Sequence, residues 1–349
     1  MKKITYLQSD PNLEIKVRNL LGKEVKGDFS LYLKTILLLA GFCFVYSLPF
    51  LFSPPFWLLF LLAMVEGFFM AAIGMGIMHD ANHGSFSKKK WLNFLFGASL
   101  YLLGGYVLNW KTQHNVCHHS FTNSIDLDKD LSGVGVFRFC FRQPLKKIHR
   151  YQAWYAPLLY SFMTLYWCTL KDFINAYQFY KEKTKGFKNI GFHFCMIFLL
   201  KIVYFLFWIG LPLIFWKVSF ISTLLFFIIM HFVAGLFLSL VFQLAHVTSF
   251  TEFPKPIVFD TREEHQIRTT CNFAEDNKFI TWITGGLNHQ IEHHLFPHIS
   301  HVHYPKIAPI VKEYCKEKKH PYNSAGNFIR AVISHFEYLS KLGRINDPS

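Results

Sequence analysis

Four long apolar stretches, 31–52, 56–78, 190–215 and 220–244, set the terms on which this chain can fold. A helix rising about 1.5 Å per residue needs roughly 20 such residues to cross a hydrocarbon core of ~30 Å. In lipid the backbone must satisfy its own hydrogen bonds, so stretches of this length are expected as spanning helices. The composition agrees: 52% of residues are hydrophobic, 40 are Phe and only 17% are charged, against ~25% in soluble domains. The expected fold class is an all-α membrane protein with four transmembrane helices.

The connections suggest two hairpins. "SPP" joins the first pair, with Pro54 and Pro55 placed to stop one helix and start the next, and "WKVS" joins the second pair. Of 36 Lys and Arg residues, only Lys217 falls in either link. The excess of Lys and Arg on cytosolic loops that orients membrane helices then puts both termini and both large loops on the cytosolic side. It also accounts for the net charge of +14 better than nucleic acid does, since the basic residues form neither one arm nor an RNA-binding signature. The N-terminus has no short apolar run followed by a small-residue cleavage site, so no removable signal peptide is expected. The seven cysteines are scattered without a Cys-x-x-Cys pair, which gives no disulfide framework or thiolate zinc site. At the other end, "SAGNFIRAVISHFEYLSKLGR" places Phe328, Ala331, Val332, His335, Phe336 and Leu339 at helical spacing. It reads as a cytosolic helix capped by Ser324.

Histidine is the second feature. "HDANH" sets His79 and His83 four residues apart as the second long helix leaves the bilayer. "HNVCHH" offers His114, His118 and His119, and "QIEHH" offers Gln290, His293 and His294. His246 follows the fourth apolar stretch by two residues. Positions i and i+4 share a helix face, so two imidazoles can meet one metal, while the adjacent His118 and His119 point about 100° apart and can serve two neighbouring metals. One such pair is common surface decoration. Three clusters at ligand spacing, all outside the spans, point to a histidine-rich metal centre, and imidazole suits iron, zinc, copper or nickel rather than Mg²⁺ or Ca²⁺.

The clusters also decide two ambiguous stretches, 91–108 and 153–170, each near the lower length limit for a span. If 91–108 crossed the membrane, the first two clusters would lie on opposite sides and could not share a centre. That stretch, and by parity 153–170, is expected to lie along the interface or dip into it.

At these residues the chain resembles the integral-membrane fatty acid desaturase family, whose signature is three histidine boxes in this order. "QIEHH", together with "HDANHGSFS", "LNHQIEHHLFPHISHVHYP" and "HQIRTTCNFA", is similar to the front-end branch, which inserts a double bond between an existing one and the carboxyl end. The resemblance implies a di-iron centre held by His79, His83, His114, His118, His119, His246, His293 and His294, with O₂ as co-substrate and no catalytic residues beyond the ligands. Gln290 stands where many relatives carry His. Asp80, Asn82, Asn115 and Glu292 lie beside ligands and are placed to hold their second ring nitrogens. The resemblance further implies a fatty acyl substrate, as acyl-CoA or acyl-lipid, presented from membrane lipids. The chain lacks the His-Pro-Gly-Gly haem motif of a fused cytochrome b5 domain. Electrons are therefore expected from a separate ferredoxin or cytochrome b5 with its reductase. The division expected is a cytosolic segment 1–30 and a desaturase domain 31–349, with a cytosolic cap from 79–189 and 245–349.

Other readings stay open. The boxes fit a lipid or carotenoid hydroxylase too, and a histidine-lined metal transporter is the alternative from another class, although it would need ligands inside the spans. His289–His293 spells the inverted zinc-protease motif. Glu66, Lys201 and His231 fall inside spans, where ionisable groups are costly. Glu66 and His231 are candidates for a substrate tunnel or a structural partnership, with Lys201 paired to one of them. His298, His301 and His303 are expected behind the site or at the surface, and His265 has no assigned role.

Overall fold

The computed structural model describes residues 9–125, 127–131, 135–254 and 261–345; the remainder of the expected terminal segments, 1–8 and 346–349, lies outside the described residues. Their regular structure is helical, with no strand among the described residues and an isolated bridge between Asn272 and Ser324. Four helices are long and apolar enough to cross a membrane: Phe29–Leu51, Phe56–His83, Ile190–Phe215 and Phe220–His246. They present large apolar side chains outward, among them Ile36, Phe44, Val203 and Ile221, as lipid requires. The protein is a multi-pass membrane protein.

Short-range chemistry sets the helix starts. The Asp28 carboxylate accepts from the Ser30 and Leu31 amides, Asn189 accepts from Phe192 and Ser219 from Ser222, each satisfying a backbone donor that the first turn leaves open. The second and fourth spans pack closely because Gly67 brings the backbones together. A Cβ there would stand 2.3 Å from the Met230 carbonyl oxygen, which is the use of small residues at membrane helix contacts. The C-terminal helix Phe328–Leu342 buries Ala331, His335 and Leu339 as the spacing predicts. Its cap is Asn327, whose Oδ1 accepts from Arg330, while Ser324 donates to Glu275 instead.

The second and fourth spans run further than hydropathy predicts, to His83 and His246. The polar "HDANH" continues the second helix through a π-helical stretch, Gly74–Met78. Stretch 91–108 is not one straight helix: Lys90–Leu103 and Val107–His118 meet at 102°. Gly104 makes the bend, with φ +76°, and a Cβ there would lie 2.5 Å from the Cys168 side chain. Stretch 153–170 is likewise divided, into Gln152–Ser161, Met163–Tyr166 and a π turn Trp167–Lys171.

Lys201 explains how the bend is held. Its ammonium donates to the Gly104 carbonyl, to the Trp167 carbonyl at 2.9 Å and to Asp172 Oδ2 at 2.6 Å. Asn109 Nδ2 donates to the same aspartate at 3.1 Å. The expected pairing of Lys201 with Glu66 or His231 is therefore wrong. His231 Nε2 meets the Tyr204 hydroxyl at 2.5 Å, and both Glu66 carboxylate oxygens are buried without a hydrogen-bond partner among the described residues. Both partners of the Lys201–Asp172 pair are buried, and removing one leaves an uncompensated charge, at a cost of roughly 3–5 kcal/mol. Lys201→Met should lower the unfolding temperature in detergent sharply, and adding Asp172→Asn should recover part of the loss. A Lys201→Met protein that melts with the wild type contradicts this assignment.

Candidate metal centre

The three histidine boxes come from separate parts of the chain, and local irregularities bring them together. Box one continues the second span beyond its π turn, and Gly84, at φ +70°, ends the helix directly after His83. Box two is itself π-helical over Lys111–His118, the rare geometry that recurs at functional sites. Box three rides on the short helix Gln290–Leu295. The loop before it presses onto the second span where glycine faces glycine: a Cβ on Gly285 would lie 2.5 Å from Gly76 Cα.

All eight predicted histidines converge. Candidate ligand nitrogens of His79, His83, His114 and His293 lie within 4.8 Å of one another, and so do those of His118, His246 and His294. His119 groups with His293 and His294, between the two sets. His79 Nε2 and His114 Nε2 are 3.2 Å apart. Nε2 of His83, His118, His293 and His294 is buried without a hydrogen-bond partner among the described residues. Buried polar atoms are nearly always satisfied, so a cluster of unpaired imidazole nitrogens aimed at one another is a donor set awaiting cations. Burial, then the neighbouring histidines, holds His119, His293 and His294 well below the usual imidazole pKa. They are neutral at physiological pH, the state that ligates. The residues present fit a metal pair.

The second ring nitrogens are held by residues the sequence reading missed. His114 Nδ1 lies 3.0 Å from Asp130 Oδ2, and His118 Nδ1 lies 2.9 Å from Asp128 Oδ2. His293 Nδ1 meets the Tyr304 hydroxyl at 3.0 Å, and His294 Nδ1 meets Gln266 Oε1 at 2.8 Å. These contacts fix tautomer and ring plane, so that Nε2 faces the centre. The two aspartates, ten residues beyond His118 and sixteen beyond His114, were a legible signal. Tyr304 and Gln266 were not, since only the tertiary fold brings them close.

The four residues expected in that role form their hydrogen bonds elsewhere. Asp80 Oδ2 accepts from the Ser300 hydroxyl and faces His301 Nδ1 at 2.9 Å, tying box one to the segment after box three. Asn115 Nδ2 donates to the Asn82 carbonyl, and Asn82 Nδ2 donates to the Gly97 carbonyl. Glu292 accepts from Asn272 and Tyr322, each at 2.8 Å. Burial still outweighs those two donors and pushes its carboxyl up to about 7. Gln290 Nε2 donates to the Leu287 carbonyl, while its Oε1 is buried without a partner among the described residues, on the chamber that His79, His114 and His293 line.

The outer histidines separate as well. His301 stands between Asp80 and Lys34, His303 Nε2 bonds the Lys26 carbonyl, and His298 is exposed. His265 Nε2 lies 2.8 Å from the Thr122 carbonyl oxygen behind box two. The inverted zinc-protease grouping is not assembled: His289 joins none of the ligand groups found among the described residues, whereas His293 joins two.

The profile of the fatty acid desaturase family matches residues 22–326, across all three boxes. The chain belongs to the fatty acid desaturase family. Membership makes it an oxidoreductase that acts on acyl lipids, with front-end enzymes among its relatives. This desaturase is 35% identical over 316 residues to an acyl-lipid (8-3)-desaturase of Physcomitrium patens, covering 89% of this chain and 66% of that protein. It is 32% identical over 328 residues to an sn-1 linoleoyl-lipid 6-desaturase of Arthrospira platensis, covering 89% and 85%. It is also 32% identical over 323 residues to the enzyme of that name from Synechocystis sp., covering 90% and 89%.

Removing a hydrogen-bonding partner of a metal-ligating histidine typically costs about 10–100-fold in metal affinity or activity. Tyr304→Phe and Asp128→Ala should each weaken metal retention by that order in a chelator competition. Retention equal to wild type in both would show that these contacts do not orient ligands.

Proposed function

We propose that this desaturase holds two iron ions between its histidine boxes and uses O₂ to insert a cis double bond in a membrane-presented acyl chain, as a front-end enzyme. The observation that carries this is the convergence of unpaired, buried ring nitrogens from all three boxes and His246. His79, His83, His114 and His293 would hold one ion and His118, His246 and His294 the other, with His119 between them. When bound, the iron pair supplies the oxidation of an unactivated methylene that acid–base side chains cannot perform. Burial keeps His119, His293 and His294 neutral, and the residues behind the rings fix their planes. The relatives' names, acyl-lipid (8-3)-desaturase and sn-1 linoleoyl-lipid 6-desaturase, support a front-end acyl-lipid substrate over a hydroxylase product.

In this reading the four spans form two hairpins. Box one and His246 end the second and fourth spans on the same, cytosolic, side, and the cap comprises 79–189 and 245–349. The domain proper runs from 31 to 349 behind the N-terminal segment 1–30. Electrons come from a separate acidic carrier, a ferredoxin or cytochrome b5 with its reductase. The exposed Lys88, Lys89, Lys90, Lys147 and Arg150 supply a basic face that would steer it.

His118→Ala and His294→Ala should each abolish double-bond formation and lower bound iron in purified protein supplied with a reduced donor. Retained activity in either would refute the ligand assignment. Single cysteines at the exposed positions 89, 185 and 298, with Cys43 and Cys195 replaced, should label from one face of sealed vesicles, and cysteines at 53 and 217 from the other. Labelling of 89 and 185 from opposite faces would make a shared centre impossible.

A further inference from the structure

Two connected chambers lie beside the histidines. The inner one, about 180 Å³, is bounded by His79, His114 and His293, by apolar side chains such as Met75, Met78 and Phe242, and by a set of polar groups. The outer one, about 600 Å³, opens past Phe162, Tyr166 and Ile174, all of them exposed aromatics or aliphatics. Lys129, Asn175 and Gln178 line the same chamber, so its rim offers an apolar side to lipid and a polar side to a headgroup.

Between the chambers is a neck whose residues line both: Gln113, Asp130, Met163, Lys171, Ser239 and Gln243. Most of its polar groups are already engaged. Gln113 donates to Asp130 and accepts from Asn175, Asp130 holds His114, and Ser239 donates to the Tyr160 carbonyl. Two are not. Gln243 is buried, and its Oε1 has no hydrogen-bond partner among the described residues. Lys171 lays its ammonium 5.0 Å from the centroid of the Trp167 ring; the charges of Asp130 and Asp172 act on it through space, and it makes no salt bridge to a carboxylate among the described residues. The lysine is placed by its neighbour Asp172, which the buried Lys201 clamps.

A buried carboxamide and an ammonium that face an apolar tube call for a ligand with an acceptor at one end of a long hydrocarbon. An ammonium offers three donors, and a carboxamide offers its NH₂ after a half-turn. With Asp130 facing the same neck, an uncharged carbonyl fits better than a free carboxylate. We infer that Lys171 and Gln243 form a collar that binds the ester or thioester carbonyl of the acyl substrate and so sets which methylene reaches the histidine cluster. The inference rests on the desaturase reading and adds its ruler: double-bond position is counted from the carbonyl held at the neck. Both residues are positioning residues, remote from the bond that changes.

The test compares binding of linoleoyl phosphatidylcholine with its ether-linked analogue, which lacks the carbonyl, to iron-loaded protein in detergent. Linoleoyl-CoA and the corresponding alkyl thioether form a second arm, and the arm that shows the preference identifies the carrier. Hydrogen bonds to a charged donor contribute about 1.5–3 kcal/mol, so the wild type should prefer the carbonyl form by at least about tenfold. Lys171→Met and Gln243→Met should bring that ratio near one, with bound iron unchanged, and spread product double bonds over neighbouring positions. Lys171→Arg should restore the preference. Equal binding of carbonyl and ether forms by the wild type in both arms overturns the collar, whatever turnover does. Conversely, a retained preference in a protein that makes no double bond leaves the collar standing and refutes the desaturase reading. If the Met variants do not fold, the wild-type ratio and Gln243→Asn, which retracts the amide by one methylene, decide the matter by the same readout.

Discussion

Burying imidazole nitrogens without partners is the constraint on which this structure turns. Each unsatisfied buried polar atom costs about 1–3 kcal/mol, and here such atoms from four different segments face one another. A fold carrying that penalty at one spot needs a compensating interaction there, and cation coordination by neutral nitrogen is the one the residue types allow. The surrounding irregularities serve the same end. Two π-helical stretches re-aim boxes one and two, and the glycine contact between Gly76 and Gly285 lets box three reach the end of the second span.

The bend at Gly104 is the second condition. Had Lys90–His118 been one straight helix, box two would stand a full helix length from box one. The 102° turn returns it, and the buried Lys201–Asp172 pair holds the turn by gripping the carbonyls of Gly104 and Trp167. A buried ion pair adds little net stability but is costly to break, which suits a fastener more than a source of stability. The same clamp places Trp167 and Lys171 along the two chambers, so ligand geometry and substrate path share one support.

Much of this was legible in the sequence. Length and hydropathy gave the four spans, because lipid imposes one periodicity-independent rule on helices. Spacing gave the three boxes. What hydropathy could not give is where a span ends once polar residues continue the same helix, as at His83 and His246. Neighbour-in-sequence reasoning failed for the ring anchors: Asp80, Asn82, Asn115 and Glu292 adjoin ligands along the chain but point away, while Tyr304 and Gln266 arrive from distant segments. The same limit hid Asp172, which pairs with Lys201 across 29 positions. Side-chain direction on a bent or π-helical backbone is a tertiary property.

Binding of a pair of irons by histidine nitrogen from all three boxes is what the proposed chemistry requires. Iron X-ray absorption on the purified, active protein examines it without reference to any substrate. The account predicts a first shell dominated by nitrogen with the outer-shell scattering of imidazole rings, a second iron as a further scatterer, and two irons per chain. A shell dominated by sulfur or by oxygen without imidazole scattering, or a single iron per chain in fully active enzyme, would contradict it.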